Sequence, residues 1–453
     1  MRHLSLIKNS YVYAAIVAVL CISSSLSIHA GEISLHAVDD LSEFGTSEEK
    51  LGAITEGLME LVESKKLAGI ETLIAKDGKI VYESTLGVKG VEDSRPLESD
   101  DLFRIYSMTK PIAATALMQL YEKGKFELDD PITKFIPEFE NLTVWQEEGE
   151  PVPASSVFTM RQLLSHTAGF TYTFTPHPID QMYREQGVLS ATNLEEMITK
   201  LSNIPLRFQP GERWHYSVAV DVTGSVVERI SGQTLDVYLQ EHIFGPLGMV
   251  DTFFGVPADK FDRFLPNHFW NRETQMLMQT PPQSFESFKE ENVTFFSGGG
   301  GLVSTAMDYM RFCEAMRQGG SLEGARILQP GTVALMIENH LPASLTVDAA
   351  GESPGVQRSA GLSVRGFGLG FGINLDADDP SVVTSYFWGG AAGTVFWIDP
   401  VNNMSVVSLI QLMGSPHDLR GALLKGIASA WDMPYEMPQV VDDPEEEEAQ
   451  EGE

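Results

Sequence analysis

The sequence predicts an α+β fold in which one antiparallel sheet, built from N- and C-terminal strands, is flanked by helices. Strand-like segments with alternating apolar residues lie near both ends of the chain, at 70–84 and from about 366 to 412. Residues 129–340, between them, read mostly as helix and loop, with proline and glycine at the breaks. We therefore expect a mostly helical region inserted between the two halves of the sheet, and a site where the layers meet.

The N-terminal elements follow from local patterns. Residues 48–66 have helical periodicity, and the two apolar runs within 70–84 flank Asp77-Gly78, a dipeptide typical of a tight hairpin turn. A second helix is predicted from Ser107 to about Lys123, before Gly124.

From about residue 366 the pattern changes to strands, and a helix ends the globular part. The predicted elements are strands at Gly368–Asn374, Val382–Trp388, Thr394–Asp399 and Met404–Leu412 and a helix at Asp418–Trp431.

We expect one domain over residues 31–440. Its sheet part covers about 48–105 and 366–432, and its helical part covers about 106–365. The remainder, 441–453, is an acidic run that we expect to be disordered.

The N-terminus has the layout of a secretory signal peptide over residues 1–30. Arg2 and Lys8 precede an apolar run at 11–20, and a small, polar stretch ends at Ala30, where cleavage is expected. The alternative is an uncleaved membrane anchor, but the run is short for a bilayer span. We expect a periplasmic or secreted protein that has no membrane contact after cleavage.

Composition narrows the possible partners. The formal net charge of −32 argues against nucleic acid or an anionic membrane as partner. Signal cleavage would leave Cys313 as the one cysteine, which we interpret as a buried, inert thiol in a helix. Neither metal-ligand spacing nor a phosphate-binding loop is found, so we expect no metal and no cofactor.

The segment Ser107-Met108-Thr109-Lys110 carries the strongest chemical signal. Residues three apart on a helix share a face, so the Lys110 amine can reach the Ser107 hydroxyl. A serine hydroxyl becomes a good nucleophile only when a neighbouring base takes its proton, and a lysine in a dry pocket can be that base. Because a serine and a lysine three apart also occur by chance, the pair needs further support.

Two further segments supply candidates. Tyr216 lies in a loop before a predicted helix at 218–231, where its phenol could relay protons or simply pack. The run Trp388-Gly389-Gly390-Ala391 interrupts a strand pattern with glycines. Glycine within a strand indicates close approach of a ligand or a bulge.

Taken in order, Ser-x-x-Lys, Tyr-Ser and a glycine-rich strand resemble the serine β-lactamase and penicillin-binding superfamily. The likeness covers roughly residues 50–432 and is closest to class C β-lactamases and the related family VIII carboxylesterases. It implies a β-lactamase/transpeptidase-like fold. It also implies that Ser107 forms an acyl-enzyme, that Lys110 and Tyr216 act together as the base, and that the N–H groups of Ser107 and Ala391 form the oxyanion hole.

Two departures from the lactamase pattern favour esters. Trp388-Gly389-Gly390 replaces Lys-Thr-Gly and removes the cation expected to bind a β-lactam carboxylate, while Val218 replaces an asparagine amide. A site without these polar partners should bind charged, peptide-like substrates less well. We therefore expect Trp388, Gly389, Gly390, Ala391 and Val218 to contact a small-molecule ester or amide substrate.

Three functions remain open at this point. The first is a carboxylesterase-like serine hydrolase, with water or an alcohol as acyl acceptor. The second is a β-lactamase or a D-amino peptidase or carboxypeptidase of the same fold. The third is a penicillin-binding or sensor protein that acylates without turnover. A Ser–His mechanism through His166 is the weaker alternative to the lysine base, and we expect a structural role for that histidine.

Overall fold

The structure, a computed structural model, describes residues 35, 38–342, 345, 366–376, 378–417 and 419–433. The proposed signal peptide (1–30) and the acidic tail (441–453) lie outside the described residues.

The α-helices number twelve within the described residues. They are α1 (Glu48–Glu63), α2 (Thr109–Glu122), α3 (Met160–Leu164), α4 (Pro178–Glu185), α5 (Leu194–Leu201), α6 (Ala219–Ser231), α7 (Leu235–Leu239), α8 (Gly245–Leu247), α9 (Gln283–Glu286), α10 (Ala306–Arg317), α11 (Pro330–Ile337) and α12 (Leu419–Ala430). In that same part of the chain, no helix is long and apolar enough to cross a membrane.

The strands, again of the described residues, number sixteen. They are β1 (Gly69–Lys76), β2 (Lys79–Gly87), β3 (Phe103–Arg104), β4 (Thr143–Val144), β5 (Val152–Pro153), β6 (His268–Asn271), β7 (Met276–Gln279), β8 (Val303–Ser304), β9 (Ser321–Leu322), β10 (Ala325–Arg326), β11 (Gly366–Phe367), β12 (Gly372–Leu375), β13 (Val383–Gly389), β14 (Val395–Asp399), β15 (Met404–Leu409) and β16 (Leu412–Met413).

Strands from both ends of the chain form one seven-stranded antiparallel sheet, in the order β11-β12-β13-β14-β15-β1-β2. The N-terminal hairpin pairs with the last long strand, β15, so strands from both ends of the chain share one sheet, as the sequence predicts. Its turn is the predicted Asp77-Gly78, where both residues have positive φ, as a tight hairpin turn of this kind requires. The predicted fold class is confirmed.

Alternation along the strands separates two apolar layers. Ile74 of β1 and Val406 of β15 face a cluster that contains Leu423 of α12, whereas Leu73 and Val407 face the main core. Helices thus cover both faces of the sheet, because β1 and β15 are apolar on both sides. Cys313 of α10 is fully buried in the main core, and burial raises the pKa of its thiol well above the usual value, as expected for an inert thiol.

The inserted region consists mainly of helices and loops and also contains short strands that the sequence did not indicate. The largest group is the β6–β7 hairpin, to which β16 adds in parallel through Leu412 and His268. The predicted strand Met404–Leu412 consequently ends at Leu409, because the chain leaves the main sheet to pair with this hairpin.

Candidate active site

Ser107 lies in a 3-10 turn, Tyr106–Met108, immediately before α2. The predicted helix therefore begins two residues later than expected, although the turn still leads directly into it. Tyr106 has φ +43°, a sparsely populated conformation for a residue with a side chain, and such strain is typical of functional sites. The backbone around the turn is held by Ile105 N–H, which donates to Leu302 O, and by the Thr109 hydroxyl, which accepts from Leu302 N–H.

The structure brings together the three groups predicted to perform the chemistry. The Tyr216 hydroxyl donates to Ser107 Oγ at 2.5 Å, and Lys110 Nζ lies 3.2 Å from the same oxygen. Tyr216 lies in the loop before α6, 109 residues after Ser107. Ser107 Oγ thus has two groups within proton-transfer distance, which is the geometry that nucleophile activation needs.

Lys110 occupies a buried, mostly apolar environment. Only 1% of its surface is exposed, and its Nζ donates to Gly299 O at 2.6 Å. The same nitrogen lies 4.5 Å from the ring centre of Tyr216 and 5.2 Å from that of Tyr172. Two aromatic faces and one carbonyl therefore surround the amine, and no carboxylate contacts it directly within the described residues.

Asp221 of α6 also belongs to this network, although no sequence motif indicated it. Its carboxylate accepts from Gly299 N–H at 3.0 Å and from the Ser297 hydroxyl. Burial raises the pKa of Asp221, while the charge of Lys110 and these two hydrogen bonds act to lower it. One signal was available in the sequence, since Asp221 follows Tyr216 on the first turn of a helix and a carboxylate on an otherwise apolar helix face needs a partner.

The glycine-rich run 298–301 brings backbone close to the site. A Cβ at Gly299 would overlap the Asp221 carboxylate, and one at Gly298 would lie 2.6 Å from Val220 O. Only glycine therefore allows the Gly299 peptide to lie between Asp221 and Lys110.

The predicted glycine-rich strand is the end of β13 and the turn that follows it. A Cβ at Gly390 would overlap Ile105 O, so this turn packs directly on the backbone that leads to Ser107. Ala391 is exposed in the same turn, and within the described residues its N–H donates no hydrogen bond. At Gly389, in contrast, an added Cβ would point away from Ile105 and would lie 2.8 Å from Arg420 Nη2.

Trp388 forms an aromatic wall beside the three reacting groups. Its ring lies 5.5 Å from that of Tyr216 and packs edge-on to Phe367 at 5.4 Å. The side chain is almost fully buried, so apolar surface occupies the position where the lactamase pattern has a cation.

The sequence predicts that Val218 contacts substrate, but its position in the structure does not allow this contact. The residue caps the start of α6, its N–H donates to Thr171 O, and its side chain is 0% exposed within the main core. The isopropyl group offers no surface to a substrate in this structure because the residues around it fill that space.

The two histidines near Tyr216 do not contact Ser107. His166 Nδ1 lies 3.2 Å from Ser217 Oγ, its ring packs 5.2 Å from that of Tyr216, and burial lowers its pKa well below the usual value. His215 contacts the Thr171 hydroxyl at 3.1 Å, and burial lowers its pKa to about 4. Both rings are therefore neutral at pH 7, and His166 supports the Tyr216 ring.

One group of carboxylates in the described part of the chain has metal-like spacing, namely Glu98, Asp100 and Asp101. Basic side chains already balance it, since Lys89 Nζ lies 2.5 Å from Asp101 and Arg263 Nε lies 3.1 Å from Asp100. These ion pairs explain the cluster without a metal.

A seven-stranded sheet, an inserted helical region, and a serine, a lysine and a tyrosine at their seam define the class of β-lactamase-fold enzymes. The beta-lactamase family profile matches residues 53–428, and the chain belongs to this family.

Two relatives match this chain over most of their own length. Esterase EstB of Burkholderia gladioli is 31% identical over 372 residues, which are 77% of this chain and 87% of that protein. Protein Rv1367c of Mycobacterium tuberculosis strain H37Rv is 32% identical over 372 residues, 78% of this chain and 88% of that protein.

Two solved structures have folds similar to that of this chain. The structure of EstCE1, described as a hydrolase with promiscuous acyltransferase activity, has a TM-score of 0.69 at 26% identity and covers 84% of this chain and 99% of its own. The unliganded, selenomethionyl form of the simvastatin synthase LovD of Aspergillus terreus has a TM-score of 0.73 at 25% identity, with 85% and 98% covered. The protein is therefore an enzyme of the hydrolase or acyltransferase type.

Proposed function

We propose that the protein is an exported serine hydrolase that cleaves carboxylic esters through an acyl-enzyme on Ser107. The observation that carries the proposal is the pair of hydrogen-bond contacts to Ser107 Oγ, from Tyr216 at 2.5 Å and Lys110 at 3.2 Å. Export rests on the sequence of residues 1–30, with its basic start, apolar run and small, polar end.

The reaction proceeds in two acyl transfers. Ser107 Oγ attacks the ester carbonyl while its proton passes to the Lys110–Tyr216 pair, and the same pair returns a proton to the leaving alcohol. The N–H groups of Ser107 and Ala391 receive the oxyanion, and the free N–H of Ala391 supports this role. Water, or a second alcohol, then releases the acyl group.

An ester is favoured over a β-lactam because of the surroundings of Trp388. The aromatic rings of Trp388, Phe367 and Tyr216 pack together where a cation would be needed to bind a carboxylate. EstB is named an esterase, which agrees with this choice.

The deciding experiment compares hydrolysis of p-nitrophenyl butyrate with that of a chromogenic cephalosporin, using protein purified after expression of the full chain. We expect ester turnover to dominate and Ser107→Ala to lower it by roughly 10³-fold or more. The intact mass of the purified protein also reports whether residues 1–30 have been removed.

Ser190→Ala is the matched control, because Ser190 is exposed and not among the reacting groups. Full ester activity in Ser107→Ala would refute the nucleophile. Faster cleavage of the cephalosporin would support a β-lactamase, and a stable acyl adduct without turnover would support a penicillin-binding protein.

A further inference from the structure

Three aromatic rings connect solvent with the reacting groups. Phe174 stacks on Tyr172 with ring centres 4.7 Å apart and an interplanar angle of 22°, and Tyr172 lies 5.1 Å from Tyr216. Tyr172 is almost fully buried, whereas Phe174 is 55% exposed. A large apolar surface is therefore presented to solvent two rings away from the phenol that contacts Ser107.

The loop that carries Phe174 is held rigidly from both sides. Arg184 of α4 donates to Thr173 O at 2.6 Å and to Thr175 O at 2.8 Å, the two carbonyls that flank Phe174 in sequence. Asp180, which is 1% exposed, accepts from Thr175 N–H at 2.9 Å. The backbone that carries the ring is thus restrained, and little backbone entropy would be lost on binding.

Exposed apolar side chains are common, and most carry no function. Phe269 on the β6–β7 hairpin, 40% exposed and directly opposite Met278, is an example that does not lie on this aromatic row. Phe174 differs because it is stacked, its backbone is fixed by two charged side chains, and it continues the aromatic row that begins at Tyr216.

We propose that the exposed ring of Phe174 forms a subsite for a planar apolar group, such as a phenyl ring, in the substrate. This inference rests on the proposed ester hydrolysis and specifies its substrate class. Stacking on Phe174 would bury apolar surface and gain the offset ring–ring attraction that Tyr172 already makes on the other side. The planar group can belong either to the acyl part or to the alcohol part of the ester.

The test measures kcat and KM of Phe174→Ala and wild type with two matched pairs of esters. One pair, 2-phenylethyl acetate and butyl acetate, carries the difference in the alcohol, and the other, ethyl 3-phenylpropanoate and ethyl butanoate, carries it in the acyl group. We expect KM for the phenyl ester of one pair to rise about three- to tenfold, with kcat and the aliphatic esters unchanged, because the contact is remote from the reacting bond.

Phe174→Tyr should keep the phenyl preference, and Phe269→Ala should leave all four esters unchanged. If Phe174→Ala alters phenyl and aliphatic esters equally, or alters neither pair, the subsite is refuted while the hydrolase proposal stands. If the folded wild type cleaves none of the four esters, the proposed function is refuted and the subsite with it.

Discussion

At the scale of single residues, Lys110 and Asp221 act as a separated ion pair. The Gly299 peptide lies between them, with its carbonyl oxygen accepting from Lys110 at 2.6 Å and its N–H donating to Asp221 at 3.0 Å. The carboxylate therefore stabilises the ammonium ion through a polarised peptide and through space, without competing with Ser107 for the amine protons.

Asp221→Asn tests this electrostatic role. Asparagine keeps an oxygen for the Gly299 N–H but removes the negative charge that lies across this peptide from Lys110. We expect kcat/KM for ester hydrolysis to fall about tenfold, because loss of the charge weakens the electrostatic hold on the amine beside Ser107.

Asp221→Ala is the comparison for that variant, since it also removes the hydrogen bonds to Gly299 and Ser297. It should lower kcat further because the Gly299 carbonyl loses its support. Wild-type activity in Asp221→Asn, with activity lost in Asp221→Ala, would instead indicate that the carboxylate acts only through its hydrogen bonds.

At the scale of elements, we propose that the turn after β13 sets the distance between the two proposed oxyanion donors, the N–H groups of Ser107 and Ala391. Gly390→Ala should push this turn away from Ile105, because its Cβ would overlap Ile105 O and the Thr394 side chain. Since loss of one oxyanion donor costs about 10²–10³ in kcat, we expect a fall of about 10²-fold in ester hydrolysis.

Gly331→Ala on α11 is the matched control for that change, because a Cβ at Gly331 meets nothing within 4 Å. Thermal unfolding of both variants separates a local displacement from a general loss of stability. Wild-type kcat in Gly390→Ala would show that the turn does not set the oxyanion geometry.

The elements that the sequence predicted are those with a local cause. The Asp77-Gly78 hairpin, α1 and α12 follow from turn residues and periodicity within a few positions. The early end of β15 depends on pairing of Leu412 with His268, a contact between distant segments that no local pattern reveals.

The residues of the candidate site likewise fall into those that local motifs indicate and those that only the fold brings together. Ser107, Lys110 and Tyr216 are recognisable as ordered motifs, whereas Asp221 gains its meaning only when Gly299 is folded against it. Val218 shows the reverse error, because a position aligned with a polar motif can still be packed wholly inside the core.

At the scale of the whole molecule, an interior strand of the main sheet, β1, contains a buried ionisable side chain. Glu71 of β1 pairs with Leu409 of β15 on one side and with Thr85 of β2 on the other. Its side chain is 0% exposed, and neither carboxyl oxygen has a hydrogen-bond partner among the described residues. Burial raises the pKa of Glu71 well above its usual value, and the charges of Glu83, Asp101 and Asp100 add to this effect.

This raised pKa makes the stability of the fold depend on pH. Above about pH 4.3 the unfolded chain releases the Glu71 proton while the folded protein retains it, so the stabilising contribution declines as pH rises through the folded pKa. Glu71→Gln removes the titration and keeps the shape. We therefore expect the variant and wild type to have similar melting temperatures near pH 4, and the variant to melt a few degrees higher at pH 8.

Glu56→Gln, at an exposed position of α1, is the control and should show no such divergence. A difference between Glu71→Gln and wild type that stays constant from pH 4 to 8 would mean that Glu71 does not bind its proton more tightly in the folded protein.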